Sequence, residues 1–536
     1  MAPETADMAP ETADAGETRA AESSRAELAA RAERAAQTHV IVVGGGVGGL
    51  IAARECAKVG MRVTLLEGSE AVGGAIQRAE LDGVVVDAGA ESYATRGGRV
   101  RALIDDLGIA DRIVAPAAGG AWLAGIPGVG AAPLPVGGIL GIPGNPFQDD
   151  VRCILGWSGV WRAYLDRVRP PLTIGHNHSL GKLVASRMGA KVRDRLVAPV
   201  TTGVYSASPE DVDVDVAAPG LNAALTRVGS LSGAVQALRD ESASRAARAQ
   251  SPGAAVEGLD GGMTVLIDAL VADLAKLGAV VRTGVRVASV TKSGDSWAVT
   301  TENVAIESVA AAEFPGQVTR TGGEADDAGQ ADDGVLSADG LVIATPEISA
   351  RTLLAGVAPA LASTDVAESP EIELVTLLLA PTALDGAPRG TGVLTVPGSH
   401  TAKALTHSTA KWEWVRRAAG DRHVVRVSFG AQGEPPATAS LDDDAAARLA
   451  VREASALLGV SLSQADVVAS HRSRFVQSQP ASIIGSGERR TAARAAVQAV
   501  PGLAAVGAWL AGTGLAQVVP DAQQEADRLR RSLLWD

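Results

Sequence analysis

The chain has 536 residues, of which 46% are apolar and only 3% aromatic, with a formal net charge of −13. That length leaves room for two or three domains, the apolar fraction excludes a disordered chain, and the shortage of aromatics argues against stacking surfaces for nucleic acid. The charge sits at the margins: residues 1–37 carry a net −4 and residues 321–339 a net −6, so the near-neutral remainder excludes a general nucleic-acid surface and a strongly acidic partner surface.

The N-terminal segment repeats MAPETAD, is acidic, and has no apolar core of a secretory signal; residues 1–37 read as a disordered tail, with helical character near Arg25–Ala36. "HVIVV" at 39–43 reads as a buried strand, 48–59 as a helix and "RVTLLE" at 62–67 as a second strand. Between the first two, Gly44, Gly46 and Gly49 satisfy G-x-G-x-x-G. The first glycine permits the tight turn, the second the approach of a pyrophosphate, and the third the packing of helix on strand. The helix N-terminus adds free N–H groups and a positive dipole end. Glu67 closes the second strand, placed to accept ribose hydroxyls and to repel a 2′-phosphate, which disfavours NADP. Taken alone, the glycines could be a simple turn; the strand–glycine–helix–strand–acid context makes the segment a nucleotide site.

Further on, 84–92 reads as a strand and turn and 99–107 as a helix. Residues 113–148 lack charge but hold six prolines, so they read as buried loops and strands rather than a membrane span, as does the glycine-broken stretch 495–520. Peripheral membrane contact is the most that is expected. Residues 150–200 read as helices parted by Pro170-Pro171. His176 and His178, two apart in a loop with no third ligand nearby, make a poor metal site and no metal is expected; a helix capped near Ser179 suits them better. Cys56 and Cys153 give neither a disulfide framework nor a zinc pattern, as befits a reducing cytoplasm, and Cys56 reads as a core residue. Residues 261–278 form a strong helix stopped by Gly278, followed by short strands, an acidic insertion at 320–336 and a buried strand at 340–346. Strands at 372–380 and 423–430 belong to a different sheet; His423 and His471 lie on strands and read as structural. A helix at 440–458 and a terminal strand, glycine loop and helix complete the chain.

The pair Gly73-Gly74, just after the acid, offers another close backbone approach. With it the pattern is similar to the flavin-containing amine oxidase superfamily, although Ala71 and Ala75 stand where basic residues are usual, so one charge contact to the pyrophosphate is missing or supplied from elsewhere. The resemblance implies FAD. It also assigns to the cofactor Gly262 and Met263 at a helix start, Val287 beside the adenine, and Trp509, Gly514 and Leu515 in a closing motif whose helix N-terminus faces the flavin.

"GAESYATRGGRVRALIDDLGIADRIV", "LPVGGILGIPGNP" and "RLVAPVTTGVYSASPEDVDV" look like the oxygen-dependent protoporphyrinogen/coproporphyrinogen oxidases, over residues 38–536. The family pattern implies that the Gly203 carbonyl lies beside the reacting methylene bridge, that Tyr205 lines the pocket and that Arg96 holds a propionate. Read from the residues alone, Arg96 could be a surface helix-start residue and Tyr205 a packed core aromatic. The chain departs from the family run at Ser206, Ala207 and Ser208. The implied activity is six-electron oxidation of coproporphyrinogen III, by hydride loss to flavin N5 in three cycles, with O2 as acceptor and peroxide as product, in haem synthesis. The implied partners are the porphyrinogen, O2 and a downstream ferrochelatase. The alternatives are a protoporphyrinogen IX oxidase, another oxidase of the superfamily and a non-catalytic flavoprotein. The expected fold is α/β: a Rossmann-like FAD domain (38–83, 261–350, 491–536), an inserted mixed-sheet substrate domain (84–111, 213–260, 351–490) and a helical domain (112–212).

Overall fold

A computed structural model describes residues 27–535 apart from 28, 170–177, 249–255, 304–333, 367, 477, 479 and 481. The tail before residue 27, Pro170-Pro171, His176 and most of the acidic insertion therefore lie outside the described residues. The end of the expected disordered tail is folded: residues 29–37 are helical, Ala35 is buried, and Arg34 Nη1 donates to the Leu534 carbonyl at 2.8 Å.

A five-stranded parallel sheet runs in the order Val280–Arg282, Arg62–Leu66, His39–Val43, Gly340–Ile343 and Leu503–Ala505. Its central strands are β-branched and buried on both faces, as a parallel sheet requires. One face is covered by the helix Val47–Ala57, which packs with the helix Thr264–Lys276 and the closing helix Leu515–Leu534 in one apolar cluster. Arg54, buried in that helix, is bound to Asp273 (2.6 Å) and Asp106 (2.7 Å), so its charge is compensated where it is desolvated.

The second sheet has seven strands, ordered Val467–Val476, Glu371–Leu379, His423–Phe429, Ala404–His407, Gly392–Thr395, Ala121–Ile126 and Gly130–Pro133. One face (Val375, Leu377, Val393, Leu405, Val425, Val427) packs on the helix Asp443–Leu458. Here the strand pairing departs from the expected boundaries. Residues 121–133, placed in the helical unit by the sequence, join this sheet through the parallel pairing of Ala121–Ala124 with Gly392–Thr395.

The helical unit is also larger at its far end than expected. Val214, Leu221, Leu225, Leu231 and Val235, assigned to the substrate domain, share one apolar cluster with Ile154, Val184 and Leu196. At its centre the fully buried Asp166 accepts from Arg187 Nε (2.5 Å) and from the Leu231 N–H (2.5 Å). Ser179 caps the helix Leu180–Met188, accepting from the Lys182 N–H at 3.2 Å and donating to the Glu210 carbonyl at 2.7 Å. Ser179→Ala is expected to lower stability by about 1 kcal/mol in urea unfolding, the usual worth of an N-cap.

Candidate functional site

The glycines between His39–Val43 and the helix Val47–Ala57 divide by what surrounds them. A Cβ on Gly44 would lie 2.7 Å from the Ala344 carbonyl oxygen, and one on Gly49 only 1.9 Å from the Gly44 oxygen. A Cβ on Gly46 would meet nothing within 4 Å. Gly44 and Gly49 therefore serve close packing, while Gly46 faces open space of the kind a pyrophosphate would fill. Gly73 completes the cradle: its N–H donates to the Gly45 carbonyl at 2.8 Å, it forms a bridge with Gly46, and a Cβ on Gly74 would be 3.3 Å from the Gly46 Cα. Both Gly73 (φ 121°) and Gly74 (φ 61°) have left-handed backbone, which explains the residue type. Glu67 accepts from the Gly45 N–H (2.6 Å) and the Ser69 N–H (2.8 Å), fixing its carboxylate at the mouth of the cradle with lone pairs to spare. The Val285 N–H donates to the Glu67 carbonyl at 2.9 Å, which brings Val287 and its strand alongside. These features fit the expected FAD.

Gly262 and Met263 are set against Asp87. The Met263 N–H donates to Asp87 Oδ1 at 2.8 Å, and a Cβ on Gly262 would lie 2.8 Å from the same oxygen. Asp87 is buried, and burial pushes its carboxyl up to about 7; the Met263 N–H and the Arg426 cation pull it down, and Glu91 pushes it up. At the closing motif, Gly514 (φ 100°) precedes Leu515, the first residue of the closing helix, and no side chain caps that end. The Trp509 side chain does not stand alone in the motif. It is buried with Leu510 in the apolar cluster behind the parallel sheet, with Nε1 unpartnered among the described residues.

The opposite face of the seven-stranded sheet is covered at one end, where Leu378 and Val424 pack on Val86, Trp412 and Trp414, and reaches the helical unit at the other, where Leu394 meets Gly203. Strand register places His471, Thr376, Arg426 and Thr406 in one cross-strand row, and Ser473, Leu374, Ser428, Ala404 and Leu394 in the next. Thr376 Oγ1, Ser473 Oγ and Arg426 Nε are buried without a partner among the described residues. Arg426 donates to the Gly89 carbonyl (2.5 Å) and, with Lys411, grips Glu91: Arg426 Nη1 at 2.9 Å and Lys411 Nζ at 2.5 Å. Burial alone would raise the Glu91 carboxyl, but the two cations outweigh it and hold it below its ordinary value.

At the far end of this floor lies the helix Ala198–Tyr205, with Gly203 on it. A Cβ at Gly203 would fall 2.5 Å from Leu394 Cδ2, so the glycine lets helix and sheet approach. Tyr205 and Val204 line a cavity of about 330 Å³ with Leu134, Leu140 and Leu196. Burial raises the Tyr205 hydroxyl and the Arg96 cation, in the exposed loop after Tyr93–Ala94, lowers it. Ser206 turns the chain in left-handed backbone (φ 56°) and accepts from Lys403 Nζ at 2.6 Å; burial lowers that ammonium to about 7.

The sequence-expected cofactor residues thus lie around the glycine turn, the Asp87 carboxylate and the start of the closing helix, apart from the indole of Trp509; of Arg96, Gly203 and Tyr205, Tyr205 lines the cavity, Gly203 faces Leu394 and Arg96 stands in an exposed loop. Sequence reading missed Glu91, Arg426, Lys411, Lys403, Thr376 and Leu394. The one available signal was an arginine inside the apolar run "HVVRVSF", which calls for a buried partner. His178 lies 3.5 Å from Asp213, and among the described residues no group of His, Cys, Asp and Glu is arranged to hold a metal. His423, on its strand, is bonded to Asp385 at 3.0 Å.

The chain is similar to known proteins along most of its length. The coproporphyrinogen III oxidase of Mycobacterium bovis is 28% identical over 487 residues, 88% of this chain and 93% of its own. That of Propionibacterium freudenreichii is 29% identical over 187 residues, so this chain spans about a third (35%) of that relative. A crystal structure from Exiguobacterium sp. superposes with a TM-score of 0.73 at 21% identity, covering 92% of this chain and 98% of the other; putrescine oxidase does so at 0.57 and 14%, covering 93% and 99%. The model of the flavin containing amine oxidoreductases matches residues 47–530, and the chain belongs to that family.

Proposed function

We propose that this protein is an FAD-dependent oxidase that converts coproporphyrinogen III to coproporphyrin III in haem synthesis, with O2 as acceptor. The observation that carries the substrate is the match to the Mycobacterium bovis coproporphyrinogen III oxidase over 88% of this chain and 93% of that one. Bound FAD supplies a two-electron acceptor, so the six-electron change balances as one porphyrinogen and three O2 giving one porphyrin and three H2O2. The chain's own residues do the rest. Gly44 and Gly49 let the turn and helix close on the strand, Gly46, Gly73 and Gly74 leave room for the pyrophosphate, Glu67 accepts ribose hydroxyls, and Gly262, Met263, Val287, Gly514, Leu515 and the backbone of Trp509 complete the cofactor contacts. The Glu91–Lys411–Arg426 group fixes the Gly89 loop between the cradle and the sheet floor. Gly203 presents its carbonyl to the reacting bridge, Tyr205 lines the pocket, and Arg96 takes a propionate. The product then passes to a ferrochelatase in the cytoplasm.

Arg96→Ala is expected to raise the KM for coproporphyrinogen III about fivefold with little change in kcat, since an exposed guanidinium–carboxylate contact is worth roughly 1 kcal/mol. The proposal itself is tested by porphyrin fluorescence from the yellow protein, supplied in air with coproporphyrinogen III or protoporphyrinogen IX. Enzyme-dependent fluorescence with preference for the first is expected. Preference for the second reassigns the substrate, and no rise above autoxidation with either overturns the proposal.

A further inference from the structure

A lysine without a counter-ion stands where the helical unit meets the seven-stranded sheet. Lys403 precedes Ala404, and Ala404 is paired in register with Leu394, the side chain on which Gly203 packs. The Lys403 Nζ reaches the end of the helix Ala198–Tyr205 and donates to Ser206 Oγ at 2.6 Å, directly after the cavity-lining Tyr205. Its main chain is tied to the sheet: the N–H donates to the Ser428 carbonyl at 2.9 Å, and the carbonyl accepts from the Thr395 N–H at 3.3 Å. The residue is thus held at both ends, yet it stays partly exposed.

Nothing around that ammonium compensates it. The bond to Ser206 is its only side-chain bond among the described residues, so the other donors of the ammonium have no partner there. Glu453, the acid beside this segment, accepts from the Ala402 N–H at 3.0 Å and makes no ion pair with Lys403. Burial alone acts on the ammonium and lowers it to about 7, with no charged neighbour to raise it. A desolvated cation without a counter-ion costs stability. Ser206 adds a second cost, because it ends its helix in left-handed backbone (φ 56°), where glycine or asparagine is usual. Both costs fall on the two residues next to Tyr205 in sequence or in space.

The cavity offers no charge of its own, since every side chain that lines it is uncharged. A porphyrinogen set against Tyr205 must have its carboxylates met at the rim. Arg96 is felt by Tyr205 and not by Lys403, so the two cations address different carboxylates. Resting on the function proposed above, we propose that Lys403 binds a second propionate of the substrate and thereby selects the tetracarboxylate coproporphyrinogen III over the dicarboxylate protoporphyrinogen IX. Four propionates, one on each ring, meet two separated cations at once. The two of protoporphyrinogen IX stand on neighbouring rings and leave the desolvated ammonium unpaired. A site built around a buried polar group rejects an analogue that lacks its partner.

The test is steady-state oxidation of both porphyrinogens by the flavin-loaded wild type and by Lys403→Met and Lys403→Arg. Lys403→Met is expected to raise the KM for coproporphyrinogen III about tenfold or more and to leave that for protoporphyrinogen IX unchanged. Its melting temperature is expected to equal or exceed that of the wild type, because a neutral side chain of similar length removes the desolvated charge. Lys403→Arg keeps the charge and is expected to recover most of the KM. Where the methionine variant does not fold, Lys403→Gln, which keeps a donor for Ser206, carries the same expectation for the two KM values. A lysine that serves only to hold the Ser206 turn would melt lower as methionine with both KM values unchanged, and that overturns the proposal. Equal losses with both substrates overturn it too, since the carboxylate would then be one that they share. A wild type that oxidises neither porphyrinogen overturns the function proposed above and this inference with it, whereas an active wild type matched by its variants overturns this inference alone.

Discussion

Gly49→Ala is expected to yield a colourless, destabilised protein, and Gly46→Ala a colourless protein that melts as the wild-type apoprotein does. The two glycines are three residues apart, yet the added methyl meets different things. At Gly49 it would lie 1.9 Å from the Gly44 oxygen and 3.0 Å from Ala344 Cβ. Neither atom can swing aside, because one is backbone in the turn and the other is the only side-chain carbon of a residue that itself bonds to the Val43 carbonyl at 2.7 Å. The helix Val47–Ala57 would have to lift off the sheet, and such overpacking costs roughly 3 kcal/mol or more. At Gly46 the methyl meets no protein atom within 4 Å, so the fold is untouched and only the open cradle is narrowed. The measurement is the ratio of flavin to protein absorbance in each purified variant, with melting curves of both apoproteins. A fully yellow Gly46→Ala protein would show that the cradle is not where the phosphates lie.

This contrast also shows what the sequence could disclose. The strand–glycine–helix–strand–acid unit is legible because every constraint in it is local: Gly44 and Gly49 meet within one turn, and Glu67 reaches back to Gly45 across a single unit. The strands at 371–379 and 423–429 are legible because they are dense in β-branched and leucine residues. The strand Ala121–Ile126 is not, because "AWLAGI" carries almost no β signal of its own and is recruited by pairing with Gly392–Thr395, some 270 positions away. The grouping of the helices after residue 213 is illegible for a similar reason: what they pack against is decided by Asp166, which accepts the Leu231 N–H across 65 residues. At the site, family resemblance alone points to Arg96, Gly203 and Tyr205, and of these Tyr205 lines the cavity. The Glu91–Lys411–Arg426 group was not, since its partners lie 320 and 335 positions apart. Nothing in "TAKAL" shows that Lys403 loses its water, because that loss comes from the turn at Ser206 being folded over it.

Asp87→Asn is expected to stabilise the protein, and to do so more at high pH than at low. Asp87 is buried, its one hydrogen bond among the described residues is from the Met263 N–H, and burial moves its carboxyl to about 7, from an ordinary value of 3.8. The folded protein therefore keeps a proton that the unfolded chain gives up between those two values. Stability from this group is fully present below about pH 4, falls as pH rises toward 7, and is flat beyond. At 1.36 kcal/mol per pH unit, the fall amounts to about 4 kcal/mol at most. An asparagine keeps the oxygen that accepts from Met263 and cannot ionise, so the variant should escape the fall. Urea midpoints of both proteins at about pH 5 and about pH 8 measure it: the gap between them should widen with pH. Parallel pH curves would show that ionisation of Asp87 is not what costs the fold stability, since Glu91, held below its ordinary value, contributes with the opposite sign. The flavin content of the variant separates two roles for the side chain. A yellow variant means that position 87 serves as an acceptor that shapes the Gly262–Met263 turn. A colourless one means that its charge, switched near neutral pH beside Arg426 and Glu91, takes part in holding the cofactor.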